Sequence, residues 1–241
     1  MAGVAHDTTG RSGPRGDRRV RPVGVLVAML TTVVLVFFVI RLLTDVPHLV
    51  DGTVPDDDLA ELYVAHPWLA YGHMLPGVAY LLGAPLQLSA RFRAGHLRLH
   101  RRLGRVLLAC ALVSGVLAVV LGFVFAWGGG AETSATLVFG SWFVLCLSLA
   151  LRAVRARRIA DHRRWMVRAF AVGLGVATIR LWVGLFTGVE IGLLGMGDAT
   201  MPLRATFGVA FWLGLSMHVV AGEWWLRRRP MTPAPAAGRS T

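Results

Sequence analysis

Residues 97–127 read LRLHRRLGRVLLACALVSGVLAVVLGFVFAW: a cluster of histidine and arginine, then more than twenty residues with no charge. An apolar run of that length spans a hydrocarbon core of about 30 Å as a helix rising about 1.5 Å per residue. The charged head fixes which side the run leaves from. The pattern recurs at residues 159–172, IADHRRWMVRAFAV, so His100-Arg101-Arg102 and His162-Arg163-Arg164 each precede a long apolar segment. The chain as a whole fits that reading. It is 55% hydrophobic, only 16% charged, and has a mean hydropathy of +0.61 over 241 residues, the composition of the membrane class.

Apolar runs bounded by charge, glycine or proline give six spans, at about 23–43, 67–90, 103–127, 133–154, 165–187 and 203–226. They are continuously apolar rather than alternating, which selects helices over barrel strands. The expected fold is therefore all-α: a polytopic membrane protein, a six-transmembrane-helix bundle with both termini inside. The membrane domain covers 21–228. Residues 1–20 and 229–241, rich in Gly, Pro, Ala, Thr and charge, read as disordered cytoplasmic tails.

Charge placement sets the orientation. All 25 basic residues are arginine, for which codon bias in a GC-rich genome is the plain explanation. All but Arg41, Arg180 and Arg204 fall before the first span, around the second–third and fourth–fifth connections, or after the sixth. Asp45, Asp51, Asp56, Asp57, Asp58, Glu61, Glu132, Glu190 and Asp198 fall on the other side. The positive-inside rule then places both termini in the cytoplasm of a bacterial plasma (inner) membrane. The first span reads as a signal anchor, since its apolar stretch is long and no small-x-small site follows it. Residues 44–66 are expected to form a loop whose DDD run is a solvated face. The pI near 11.5 belongs to this topology; no basic helix or RNA-binding motif accompanies it, so nucleic acid is excluded as a partner. The partners expected are the bilayer, its anionic head groups, and a second copy or a membrane partner subunit.

Polar residues inside a membrane are where function is sought. At helix rise they fall into two tiers. The outer tier holds His73 and Arg180, both about 10 Å from the outer surface. Arg180 stays charged, so it either snorkels outward or meets a partner, for which Glu190 and Asp198 are candidates. The inner tier holds His100, His162, His218 and Glu223, with Gln87 at the end of the second span. Glu223 has Arg227 as an i+4 partner. Neutral imidazoles from separate helices ligate haem b, and Arg101, Arg163 or Arg180 could pair with a propionate or another anion. Against this stands the plainer account, interfacial His and Arg anchoring helix ends on lipid phosphate. Cys110 and Cys146 lie at equal depth, about 10–12 Å from the inner end, where small apolar roles are the default. Small-residue stripes, Ala111/Gly115 and Ala118/Gly122 in the third span and Ala169/Gly173 and Ala171/Gly175 in the fifth, point to close helix packing. These two spans also carry the His-Arg-Arg motifs, a hint of a repeated helix pair.

No HExxH, CxxC, Walker or GxSxG motif is present, so no catalytic residues and no bare metal site are assigned, and enzyme or not stays open. The best chemical reading is a haem b- or quinone-binding redox membrane protein. The alternative is a non-enzymatic module, a small-solute permease or a lipid-binding partner subunit.

His73, the segment PLQLSARFRAGHLRLHRRLGRV (85–106), DHRRWMVRAFAV (161–172) followed by Arg180, and the terminal AGEWWLRR (221–228) together resemble an uncharacterised bacterial family of membrane proteins typed by paired His-Arg motifs. The resemblance covers about 65–228. It implies a multi-helix inner-membrane protein with polar positions matching His73, Gln87, Arg91, His100, Arg101, His162, Arg163, Trp165, Met166, Arg168, Arg180 and Glu223, and it implies no activity. The chain departs from the pattern at His218, where an amide side chain is expected.

Overall fold

The computed structural model describes residues 22–192, 195 and 200–228. Both tails, Asp198 and the arginines before Pro22 and after Arg228 therefore lie outside the described residues. Among the described residues there are eight α-helices and no strand: α1 (Pro22–Asp51), α2 (Asp58–Ala65), α3 (Pro67–Leu88), α4 (Ala90–Gly95), α5 (Leu97–Val124), α6 (Gly129–Arg155), α7 (Ile159–Gly192) and α8 (Thr200–Arg228). Six are long and correspond one to one with the apolar runs. Four of them, α1, α5, α6 and α7, are long and apolar enough to cross a membrane by length and composition. The other two long helices, α3 and α8, have 22 and 29 residues and carry His73, Gln87, His218 and Glu223 among their apolar residues.

The helices run past the apolar segments that nucleate them. α5 begins at Leu97 and α7 at Ile159, so His100 and His162 sit at matched places in a first helical turn rather than in a loop ahead of one. Arginine is a good helix former, and a turn standing beyond the apolar layer keeps its charges in water. The stretch 44–66 is likewise not a plain loop. α1 continues to Asp51, and Asp57 caps α2 by accepting the Ala60 N–H at 2.7 Å, with Asp58 and Glu61 favouring the first turn. One residue of the acidic run is thus a helix cap, and another, Asp58, pairs with Arg204 of α8 at 2.5 Å.

Consecutive long helices pack side by side through short connections, so they alternate in direction, and α7 touches α8, α6, α1 and α3. The closest approach is between α7 and α8, where small residues bring the backbones together. A Cβ on Gly214 would stand 2.8 Å from the Ile179 nitrogen, and one on Gly175 would stand 3.2 Å from the Gly214 carbonyl oxygen. On the α5–α6 contact, Gly115 makes room for the Phe143 ring. Ala111 and Ala169 from the small-residue stripes are completely buried. α1 is the opposite case: only 6% of its apolar window is buried, with Val23, Leu26, Met29, Val36, Ile40 and Leu43 all exposed. A helix apolar all round and hardly covered by its own chain needs an apolar solvent. Cys110 and Cys146 are both free thiols, Cys146 fully buried.

Candidate functional site

At the arginine-rich end, α1, α3, α4, α5, α6, α7 and α8 line a groove of about 2480 Å³. It gathers Gln87, His100, His162 and His218 on its wall, with Arg91, Arg93, Arg101, Arg105, Arg155 and Arg163 around them. Four of the five inner-tier polar residues thus share one space; Glu223 is the exception. The His100 ring has the charges of Arg93, Arg101 and Arg163 and the ring of His162 near it. Arg93, on the short α4, is pushed below the ordinary guanidinium range, first by burial and then by the charge of Arg163. Cations crowded this closely favour an anion among them.

The histidine tautomers follow from what each ring faces. A carbonyl oxygen only accepts, so a ring nitrogen against one carries the proton. His162 Nδ1 donates to the Ala150 carbonyl of α6 at 3.0 Å, which leaves the Nε2 lone pair available. His218 Nδ1 donates to the Gly214 carbonyl at 2.9 Å, and the Thr178 hydroxyl meets its Nε2 at 3.4 Å, so this ring is engaged on both sides. His100 Nδ1 and Gln87 Nε2 are buried without a hydrogen-bond partner. Buried orphan atoms are costly and rare in a finished site. Among the described residues no three His, Cys, Asp or Glu side chains converge to hold a metal ion.

Glu223 does something other than the local pairing expected of it. Its carboxylate takes a two-pronged ion pair from Arg168 of α7: Arg168 Nε donates to Oε1, and Arg168 Nη2 donates to Oε2 at 3.0 Å. Arg227 contributes at longer range. The fork geometry of guanidinium and carboxylate, offered across a contact already tight at Gly175 and Gly214, prevails over the i+4 neighbour.

The outer-tier pair lies at the other end, on a separate central cavity lined by His73 and Arg180. His73 Nδ1 donates to the Ser114 carbonyl of α5 at 2.8 Å. Arg180 makes no ion pair with Glu190, which is itself buried; the acid that its charge reaches is Glu132, at the start of α6. Asp198, the other expected partner, lies outside the described residues. Nearby, Asp45 is completely buried, held by Arg41 and by the Tyr71 hydroxyl at 2.9 Å. Sequence reasoning counted Glu132 and Asp45 among outer-side acids and missed both roles. The available signal was their position, each at the edge of an apolar run beside an arginine or a glycine turn.

An all-helical chain with membrane-capable helices, apolar flanks turned outward and polar side chains collected in an internal groove and cavity is a membrane protein. This one belongs to the family described as a predicted membrane protein (DUF2306), whose model matches residues 70–221. No curated protein and no solved structure matches it.

Proposed function

We propose that the chain is a six-span protein of the bacterial plasma membrane, both termini cytoplasmic, that holds an anionic redox cofactor of the haem b type in its arginine-rimmed groove. The observation that carries this reading is the meeting of His100 and His162 on one groove wall, with His162 Nδ1 committed to a carbonyl and its Nε2 left free. A backbone acceptor on Nδ1 is the usual support for a ligating imidazole. His100 supplies the second nitrogen, and its partnerless buried Nδ1 fits a side chain that is not at rest without a ligand. Arg101 and Arg163 are placed to take carboxylate groups. His218 serves the packing of α8 on α7, since Thr178 already meets its Nε2. Haem b would supply one-electron transfer; the chain's own residues bind it, neutralise it and keep its ring in an apolar wall. The orientation rests on the arginine-rich segments sharing one end of an alternating bundle.

The test is the visible spectrum of the detergent-solubilised full chain, purified from haem-supplemented cells. A Soret band is expected that His100→Ala and His162→Ala each abolish and His218→Gln leaves in place. Absence of the band from the unaltered chain overturns the reading. The arginine rim supports one alternative, a lipid-binding module: anionic phospholipid would then co-purify and fall away in Arg101→Ala/Arg163→Ala, with no chromophore in either.

A further inference from the structure

The central cavity at the acidic end is a second site with its own chemistry. It has a volume of about 260 Å³ and is walled by aromatic rings, among them Phe38, Phe139, Phe143 and Phe211. α2 covers its mouth: Tyr63 lines it, packs edge-on to Phe125 at 6.2 Å, and lies under the Arg41 guanidinium at 4.4 Å. Asp58–Arg204 ties the same short helix to α8.

Four ionisable groups interrupt the aromatic wall, and their partners leave a definite remainder. Arg41 is spent on Asp45. Glu132 accepts the Gly128 N–H at 2.6 Å through one oxygen, which leaves the other. His73 spends Nδ1 on Ser114 and keeps the Nε2 lone pair. Arg180 forms no ion pair among the described residues; its guanidinium carbon lies 5.8 Å from the Phe37 ring. The cavity therefore offers guanidinium donors from one helix and acceptors from two others. Its charges cancel as they stand, Arg41 with Asp45 and Arg180 with Glu132. A cation or an anion entering would leave a net charge in an apolar enclosure, which is expensive. A neutral guest that accepts from Arg180 and can donate to His73 or Glu132 costs nothing of that kind.

We infer that this cavity binds the neutral ring of a quinol, one hydroxyl oxygen accepting from Arg180 and the other hydroxyl donating to His73 Nε2. The aromatic enclosure suits a flat ring. Its volume is at the small end of ligand pockets, which run about 300–1,000 Å³, so a head group fits and a long tail does not. A tail would leave past α1, only 6% of whose apolar window is buried. The inference stands apart from the haem reading, because ring binding here needs no residue of the arginine-rimmed groove.

The full chain in detergent is titrated, with oxygen excluded, with 2-methyl-1,4-naphthoquinol while tryptophan fluorescence is read, Trp127 being part of the cavity wall. Saturable quenching is expected, with a smaller amplitude in Trp127→Phe. Arg180→Met raises the midpoint by about tenfold or more, the loss of one charge-assisted hydrogen bond. Ala118→Phe, which fills the cavity from α5, removes the saturable phase while the melting curve is kept. If Arg180→Met does not fold, Ala118→Phe decides alone. Linear quenching in the unaltered chain overturns the inference, as does unaltered binding by Ala118→Phe. Displacement of the quinol by decanoic acid at equal or lower concentration also overturns it, and makes the guest an anion.

Discussion

Single side chains in this protein are placed by partners that lie far away in sequence. Glu223 has Arg227 one turn along its own helix, yet it binds Arg168 of α7 with both oxygens. The two side chains are 22% and 32% exposed, between the surface pairs that contribute about 0–1 kcal/mol and the buried pairs whose breaking costs about 3–5 kcal/mol. Glu223→Gln is accordingly expected to destabilise the solubilised protein by about 1–3 kcal/mol, read from thermal or denaturant unfolding. Adding Arg168→Met should cost less than the sum of the single changes, because the second change removes a cation already left alone. Additive losses would show that the two side chains do not act as a pair. Asp45 makes the same point more sharply. A carboxylate at the edge of an apolar run looks like a solvated flank, but Arg41 and Tyr71 close over it completely. The signal that separates these cases, which way the side chain turns on its helix, is not written in the spacing.

Helices show a different balance. Their existence was legible, since each long one grows from a contiguous apolar run, and hydropathy is a property of contiguous sequence. Their ends were less so: α5 and α7 extend through charged turns that apolar counting stops short of. α2 was hidden, because eight residues with a mixed pattern carry too little periodicity to stand out from a loop. Its one readable mark was Asp57 ahead of Asp58 and Glu61, the signature of a capped first turn. The small-residue stripes were read correctly as packing faces, but not which helix each would meet. The tightest meeting, Gly214 on Ile179, uses a glycine outside those stripes. Because a Cβ there would strike backbone, which cannot swing aside, Gly214→Ala should cost about 1–3 kcal/mol by separating α7 from α8. Gly184→Ala, in open space on α7, is the control and should be neutral or slightly stabilising by the same unfolding measurement.

For the molecule as a whole, the orientation proposal is open to direct measurement. In a background lacking Cys110 and Cys146, single cysteines at Thr53 and at Ser89 mark the two ends of the bundle. A membrane-impermeant maleimide should label Thr53→Cys in intact cells and Ser89→Cys only after lysis; the reverse pattern would invert the topology. What the sequence determined by itself was the helical class, the six long elements and the sorting of charge between the two ends. Each of those is set by local composition and by the cost of leaving a charge or a bare peptide group in hydrocarbon. It also set how far along its helix each polar residue lies, since helix rise is constant. Tertiary structure decided which of them meet. His100 and His162 come to one wall, Arg168 to Glu223, and Arg180 to the side of Glu132 rather than Glu190. Those meetings depend on the rotation and crossing of six helices packed through glycine and alanine, and that packing is settled only when all the faces are brought together.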